Sequence, residues 1–252
     1  MALPKYHQSE IKDYLRCGLY HMFKHLLKLP TPVTTPLTVG SVADSAMNFT
    51  LQKRIDTGLD PSLQEVLEKA SDDFNSRVDR TEWGSDDVVE QKNLAMKIVK
   101  VFYEQVAPKI DPETVQESFS LETDHGYLIG GTFDVVDKKG ILIDLKTSAP
   151  MRVASYTVNY SMQPAMYWHA YEQIRGKPPE SFRFDIITKH GIPQYKTSSG
   201  KVSDQDREHL FYTINQMHAG LKAGVALPAS EGVYWCSKKY CPFWDQCKGK
   251  KS

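Results

Sequence analysis

Long apolar runs are missing from this chain. No stretch approaches the roughly 18 consecutive apolar residues that a membrane span requires. The opening MALPKYHQSE lacks both the basic and the apolar region of a secretory signal, so a cytoplasmic protein with no membrane association is expected. Excess charge is missing too: 31 Lys and Arg face 31 Asp and Glu, which argues against a protein that coats nucleic acid through bulk charge. Cysteine is scarce, four in 252 residues, which excludes a disulfide-stapled miniprotein. No internal repeat or low-complexity tract interrupts the chain. What is present is an ordinary globular composition, 40% hydrophobic and 25% charged, enough to build one core. Residues 1–252 are expected to form a single domain.

The even balance of charge hides an uneven distribution. Residues 1–30 carry a net +3, residues 56–90 a net −8 and residues 233–252 a net +4. The acidic segment reads as a solvated helical face, and a local basic groove at the two ends stays open. Apolar Ile11, Leu15, Leu19, Met22 and Leu26 recur at helical spacing over 9–29, with Ser9 as cap. Prolines 30, 32 and 36 mark a loop. Further helices are expected near 39–53, 62–76 and 85–107, so a helical segment occupies about 40–108. The period then becomes strand-like over 118–122, 127–136 and 141–145, separated by His125-Gly126 and Asp137-Lys-Lys-Gly140. A helix near 161–175, strands at 182–188 and 194–197, and a helix at 204–224 capped by Ser203 follow. The fold class is α/β, with a sheet core at about 115–200.

One hairpin carries the chemistry. Asp134 interrupts an apolar strand, and Asp144 and Lys146, two apart on the next strand, point to one face while Ile143 and Leu145 point to the core. Two carboxylates and an ammonium thus converge. Like charges close together are unfavourable unless a cation compensates. Such a set suits metal-assisted phosphodiester hydrolysis, because hard oxygen ligands hold Mg²⁺ or Mn²⁺. Lys146 would orient the attacking water or neutralise developing charge. Taken alone, the D-x-K triplet reads more simply as an Asp–Lys ion pair beside a hairpin Asp.

Gly131-x-x-Asp134, followed by Asp144-x-Lys146, resembles the PD-(D/E)xK nuclease superfamily, whose fold is a restriction-endonuclease-like mixed sheet flanked by helices. Gln163-Pro-Ala-Met-Tyr167 resembles the Q-x-x-x-Y motif of its RecB-like branch, with both polar residues on one helix face. The resemblance implies that Asp134, Asp144 and the Leu145 carbonyl bind the metal and that Gln163 and Tyr167 position DNA. Where that family has Gly-Ser-x-x-His, this chain has Gly40-Ser-Val-Ala-Asp44. Asp44 is then either a harder metal ligand in place of histidine or a helix-surface acid.

The cysteines are Cys17 and a C-terminal triplet, Cys236, Cys241 and Cys247. Four thiolates suit an iron–sulfur cluster or zinc, although no C-x-x-C knuckle is present, and plain unligated cysteines are the third reading. The arrangement resembles iron–sulfur nucleases of the same superfamily, including CRISPR-associated RecB-like exonucleases and the AddB nuclease domain, whose first gap is usually shorter. It implies a structural [4Fe–4S] cluster joining Cys17 to the region 233–250, which would bring both basic ends together. Nearby aromatics then either stack on unpaired bases or pack around the cluster. The implied activity is a metal-dependent exonuclease on free ends of single-stranded DNA, running 5′ to 3′. Recombination, repair or CRISPR-adaptation proteins of a phage, archaeal or bacterial system are the implied partners. Two competitors stand beside it: a DNA-end-binding subunit that does not cleave, and an endonuclease on the same core.

Overall fold

Proline and glycine punctuate the elements of the computed structural model, which describes residues 3–248 apart from Tyr160, His190 and Glu231. Strand β1 (Lys5–His7) leads into α1 (Gln8–Arg16) and α2 (Gly18–His21), followed by a π-helical turn, Met22–Leu26. After two prolines come β2 (Val33–Thr34), α3 (Thr35–Thr57), α4 (Leu63–Arg77), β3 (Thr81–Glu82) and α5 (Val88–Val101). Then follow β4 (Pro112–Glu122), β5 (Leu128–Asp137), β6 (Ile141–Ser148), α6 (Met162–Arg175), β7 (Ser181–Thr188), β8 (Tyr195–Gly200), α7 (Asp204–Lys222) and α8 (Trp244–Cys247). The described chain divides into two compact units. One comprises residues 1–32, 120–131 and 208–252, the other residues 33–119 and 132–207, with β4 and β5 running through both.

The larger unit holds a mixed sheet. Strand β5 is antiparallel to β6, β6 is parallel to β7, and β7 is antiparallel to β8, while β4 also pairs with β5. Turn chemistry sets the central hairpin. Gly140 takes φ +78°, its N–H donates to the Asp137 carbonyl at 2.7 Å, and Asp137 Oδ1 accepts from the Lys139 N–H at 2.8 Å. Parallel strands require a crossover, which α6 provides between β6 and β7. The core joins Val42, Ala46 and Met47 of α3, Phe74 of α4 and Ile98 of α5 to Val135, Ile143, Leu145 and Ile187 of the sheet. The expected inward direction of Ile143 and Leu145 is therefore realised, and the fold class is the mixed α/β one. Exposed Glu68, Asp72, Asp79, Asp86 and Asp87 form the solvated acidic surface.

Helix α3 begins earlier than the proline pattern predicts. Pro36 falls in its first turn, where no intrahelical N–H is needed, so it opens the helix instead of continuing the loop. Ser62 and Asp87 cap α4 and α5 by accepting from Glu65 N–H (3.2 Å) and Glu90 N–H (2.9 Å). Ser203 and Asp206 form a reciprocal capping pair ahead of α7: Ser203 Oγ accepts from the Asp206 N–H and Asp206 Oδ2 from the Ser203 N–H.

In the smaller unit, β1 pairs in parallel with the first residues of β5, Lys5 with Leu128 through His7 with Gly130. Tyr6 Oη lies 2.8 Å from Nδ1 of buried His218, and the Tyr127 hydroxyl donates to Asn215 at 2.8 Å. The helix expected over 9–29 is broken at Cys17, whose backbone is extended (φ −172°, ψ 115°). Cys17 Sγ accepts the Tyr20 N–H at 3.4 Å, capping a new helix. The Gly18 N–H donates to the Leu227 carbonyl at 2.7 Å, and a Cβ on Gly18 would lie 2.7 Å from Leu227 N and 2.9 Å from Ala226 C. These are backbone atoms that cannot swing away. Gly18→Ala should therefore destabilise the protein by about 1–3 kcal/mol, measured by urea unfolding.

Burial, then Lys222, holds the His218 imidazole below its ordinary pKa. A depressed folded-state value means that stability is complete above the unfolded value near 6.5 and is lost as pH falls toward the folded one. Melting temperatures of His218→Gln should show a shallower acid decline than the wild type below about pH 6.5.

Candidate active site

The hairpin register brings the acidic residues together. Val136 pairs with Leu142 and Val135 with Ile143, so Asp134 comes next on one strand and Asp144 next on the other. Asp134 Oδ2 accepts the Leu145 N–H at 3.3 Å, linking the first carboxylate to the backbone beside the second. Asp144 is 1% exposed. Its Oδ1 accepts from Gln163 Nε2 at 2.5 Å, and its Oδ2 lies 2.6 Å from Lys146 Nζ. That oxygen is buried, with the Lys146 ammonium as its ionic partner.

Helix α3 supplies the third acid. Gly40, Asp44 and Asn48 follow one another at single-turn spacing, hence along one stripe. A Cβ on Gly40 would sit 3.1 Å from Thr147 Oγ1, so glycine lets the helix approach the end of β6. One turn later Asp44 enters the same cleft as Asp134, Leu145, Lys146 and Thr147, a space of about 420 Å³. Asn48 Nδ2 donates to Asp44 Oδ2 at 3.2 Å.

The charges bear on one another. Burial, then Asp144, pushes the Asp134 carboxyl well above the usual carboxylate range. Asp44 is raised by burial and by Asp144, against the Asn48 hydrogen bond. Burial alone would lower Lys146, but Asp144 and Asp134 outweigh it and hold the ammonium above its ordinary value. Tyr167 packs its ring against Phe119 and Phe133, with centroids 5.7 and 5.5 Å away. Burial and the charges of Asp144 and Asp134 push its phenol up to about 12, so it keeps its proton at neutral pH.

Sequence reasoning thus placed Asp44, Asp134, Asp144, Leu145, Lys146, Gln163 and Tyr167 in one neighbourhood, and the structure brings them together. It missed Lys189, which also lines the cleft. Lys189 follows β7, parallel to β6, so the two strand ends lie side by side, but no local pattern marks it.

The four cysteines belong to the smaller unit. Cys17, Cys236, Cys241 and Cys247 all line one small pocket with Tyr20, Phe23, Phe243 and Trp244. Burial, opposed by the Phe243 N–H, raises the Cys241 thiol, and Cys17 and Cys236 add to the rise. Among the described residues, no group of three or more His, Cys, Asp or Glu is already closed around a point where a metal would sit.

A donor set for a divalent cation is nonetheless present in the cleft. Mg²⁺ needs only one or two carboxylates and keeps several waters, so a closed side-chain cage is not required. The buried Asp144 carboxylate, and the carboxyls of Asp44 and Asp134 that burial and Asp144 raise, fit such an ion.

The family model of the PD-(D/E)XK nuclease superfamily matches residues 7–248. The chain belongs to this superfamily. Members typically use divalent metals. A solved structure described as a "Putative exonuclease" from Eubacterium rectale superposes with a TM-score of 0.62 at 18% identity, covering 91% of this chain and 86% of that one. It is a likeness of fold. A second structure, of SSO0001, covers 97% of this chain and 96% of its own at 14% identity, with a TM-score of 0.38. No curated protein sequence matches the chain. No helix among the described residues is long and apolar enough to cross a membrane.

Removing one of several crowded acids should relieve the metal-free protein. Asp134→Asn should raise its melting temperature in EDTA by about 2–4 °C, the shift that about 1 kcal/mol produces at this size. The same substitution should abolish the rise that Mg²⁺ or Mn²⁺ gives the wild type, read by differential scanning fluorimetry.

Proposed function

We propose that this chain is a metal-dependent deoxyribonuclease that degrades single-stranded DNA from a free end. The observation that carries the hydrolytic part is the convergence of Asp134 and Lys146 in one cleft, with buried Asp144 beside them, its Oδ2 2.6 Å from Lys146 Nζ. Asp134 and Asp144 would hold Mg²⁺ or Mn²⁺, joined by the Leu145 carbonyl and Asp44. Bound there, the cation would draw charge from the scissile phosphate and acidify a water.

The side chains divide the remaining work. Lys146 stays protonated and supplies fixed positive charge beside the carboxylates, where it can orient the water or meet charge gathering on the phosphate. Gln163 fixes the rotation of the Asp144 carboxylate by donating to Oδ1, which leaves Oδ2 turned toward Lys146. Tyr167, a phenol at working pH, has a hydrogen bond to offer the strand. Preference for single strands and for ends rests on the likeness of Gln163-x-x-x-Tyr167 to the RecB-like motif.

The four thiols around one pocket support a structural [4Fe–4S] cluster held by Cys17, Cys236, Cys241 and Cys247. A reducing cytoplasmic setting suits such thiols. Recombination, repair or CRISPR adaptation is the setting that this combination favours. Anaerobically purified protein should contain about four irons per chain. Cys241→Ala should lose most of the iron and the visible absorbance, whereas iron-free wild type of full stability would remove the cluster.

One assay tests the activity. End-labelled linear single strands and closed circles are incubated with Mg²⁺, Mn²⁺ or EDTA. Linear DNA should disappear only with metal, circles should survive, and Lys146→Ala should slow the loss by roughly 10²–10³-fold. Cut circles would make the enzyme an endonuclease. Tight end binding without cleavage under any metal would make the chain a DNA-end-binding subunit.

A further inference from the structure

The larger unit contains a second, wider cleft of about 890 Å³ that shares Pro36, Thr147 and Lys189 with the carboxylate cleft. Its charged walls are unequal. Asp86, Glu90 and Lys97 come from α5 and the loop before it. Among the described residues, the charged side chains on the wall built by the end of β6, the turn after it and the exit of β7 are Arg152 and Lys189.

Lys189 is held from both sides of this junction. Its main-chain N–H donates to the Ser148 carbonyl at 2.8 Å, tying it to the end of β6. Its Nζ donates to the Pro36 carbonyl at 2.9 Å, at the start of α3. That bond uses one of three ammonium protons. Burial, and then Arg152, lowers the Lys189 pKa, and both side chains line this cleft. An anion lying between them would meet both charges. Tyr156 lines the same wall, its ring 5.6 Å from that of Phe184.

We propose that Lys189 and Arg152 clamp a phosphate of the substrate strand next to the scissile one, and that the wider cleft is the track in which the strand lies. This rests on the nuclease reading of Asp134, Asp144 and Lys146, and adds two residues outside its motifs. The phosphate is either a phosphodiester within the strand or a phosphate at its end.

The test is equilibrium binding of fluorescent single-stranded oligonucleotides, with and without a 5′-phosphate, to the full chain in EDTA, where hydrolysis is off. Lys189→Ala and Arg152→Ala should each weaken binding several-fold. Each should also lower the slope of log affinity against log salt by about 0.7, the loss of one phosphate contact on a single strand. Lys189→Arg should restore the slope. A loss seen only with 5′-phosphorylated strands assigns the clamp to the terminal phosphate, and a loss with both assigns it to the backbone. The Mg²⁺-induced rise in melting temperature should persist in both alanine variants, which separates strand binding from damage to the metal site. Unchanged affinity and slope in variants of a wild type that cleaves DNA would overturn the clamp. A wild type with no metal-dependent cleavage would overturn the nuclease reading, and the clamp with it.

Discussion

Crowded negative charge at the edge of a hydrophobic core is the constraint around which the larger unit is arranged. Asp144 is essentially removed from water, Asp134 and Asp44 are largely shielded, and each is within electrostatic reach of another. An isolated buried carboxylate costs several kcal/mol, and proteins normally avoid the cost by pairing or protonation. Here both remedies are visible. Lys146 stands 2.6 Å from Asp144, and burial, then the charge of Asp144, raises the pKa values of Asp134 and Asp44. The arrangement makes sense as one built for additional positive charge, and the superfamily to which the chain belongs gives that charge a catalytic use.

Secondary structure keeps these acids from drifting apart. Two of them sit on adjacent strands, so the spacing of backbone hydrogen bonds fixes their distance. The third is delivered by α3, which approaches β6 where Gly40 presents no side chain to Thr147. Asn48, one turn further along, bonds Asp44 and also accepts from Gln116 at 3.2 Å, so the acid is held from beyond the cleft. The opposite stripe of α3, with Val42 and Ala46, is buried in the core that also receives Ile143 and Leu145. Apolar burial therefore orients both the helix and the strand whose polar faces meet at the site.

Much of this was legible in the sequence because it depends on short periods. Asp144 and Lys146 must share a face of a strand, Gln163 and Tyr167 must share a face of a helix, and Asp137 with Gly140 must make a turn. Whatever required a distant partner was not legible. The break at Cys17 arises from the close backbone of Leu227, some two hundred residues along the chain, and helical periodicity runs straight through it. Strand β1 is three residues long and exists only by pairing with β5. Pro36 was read as a breaker because its position in a first turn depends on where the helix begins. Lys189 carries no motif, since its place follows from the parallel pairing of β6 and β7.

The cysteine pocket shows a different relation between packing and chemistry. Phe243 is 1% exposed, with its ring centroid 5.2 Å from that of Tyr20 and 5.5 Å from that of Phe23. These contacts join the region of Cys17 to the triplet by apolar burial alone, before any bond to sulfur is considered. Closing a loop of that length carries an entropy cost that grows only slowly with length, so a small aromatic cluster is a sufficient clasp. The aromatics consequently fall into two groups. Tyr20, Phe23 and Phe243 pack around the thiols, whereas Tyr234 and Tyr240 remain largely exposed beside Lys238 and Lys239. Among the described residues the same unit also holds Lys12, Arg16, Lys24, Lys238, Lys239 and Lys248, so the exposed rings and these cations belong to one unit, whose thiols lie among a separate set of rings.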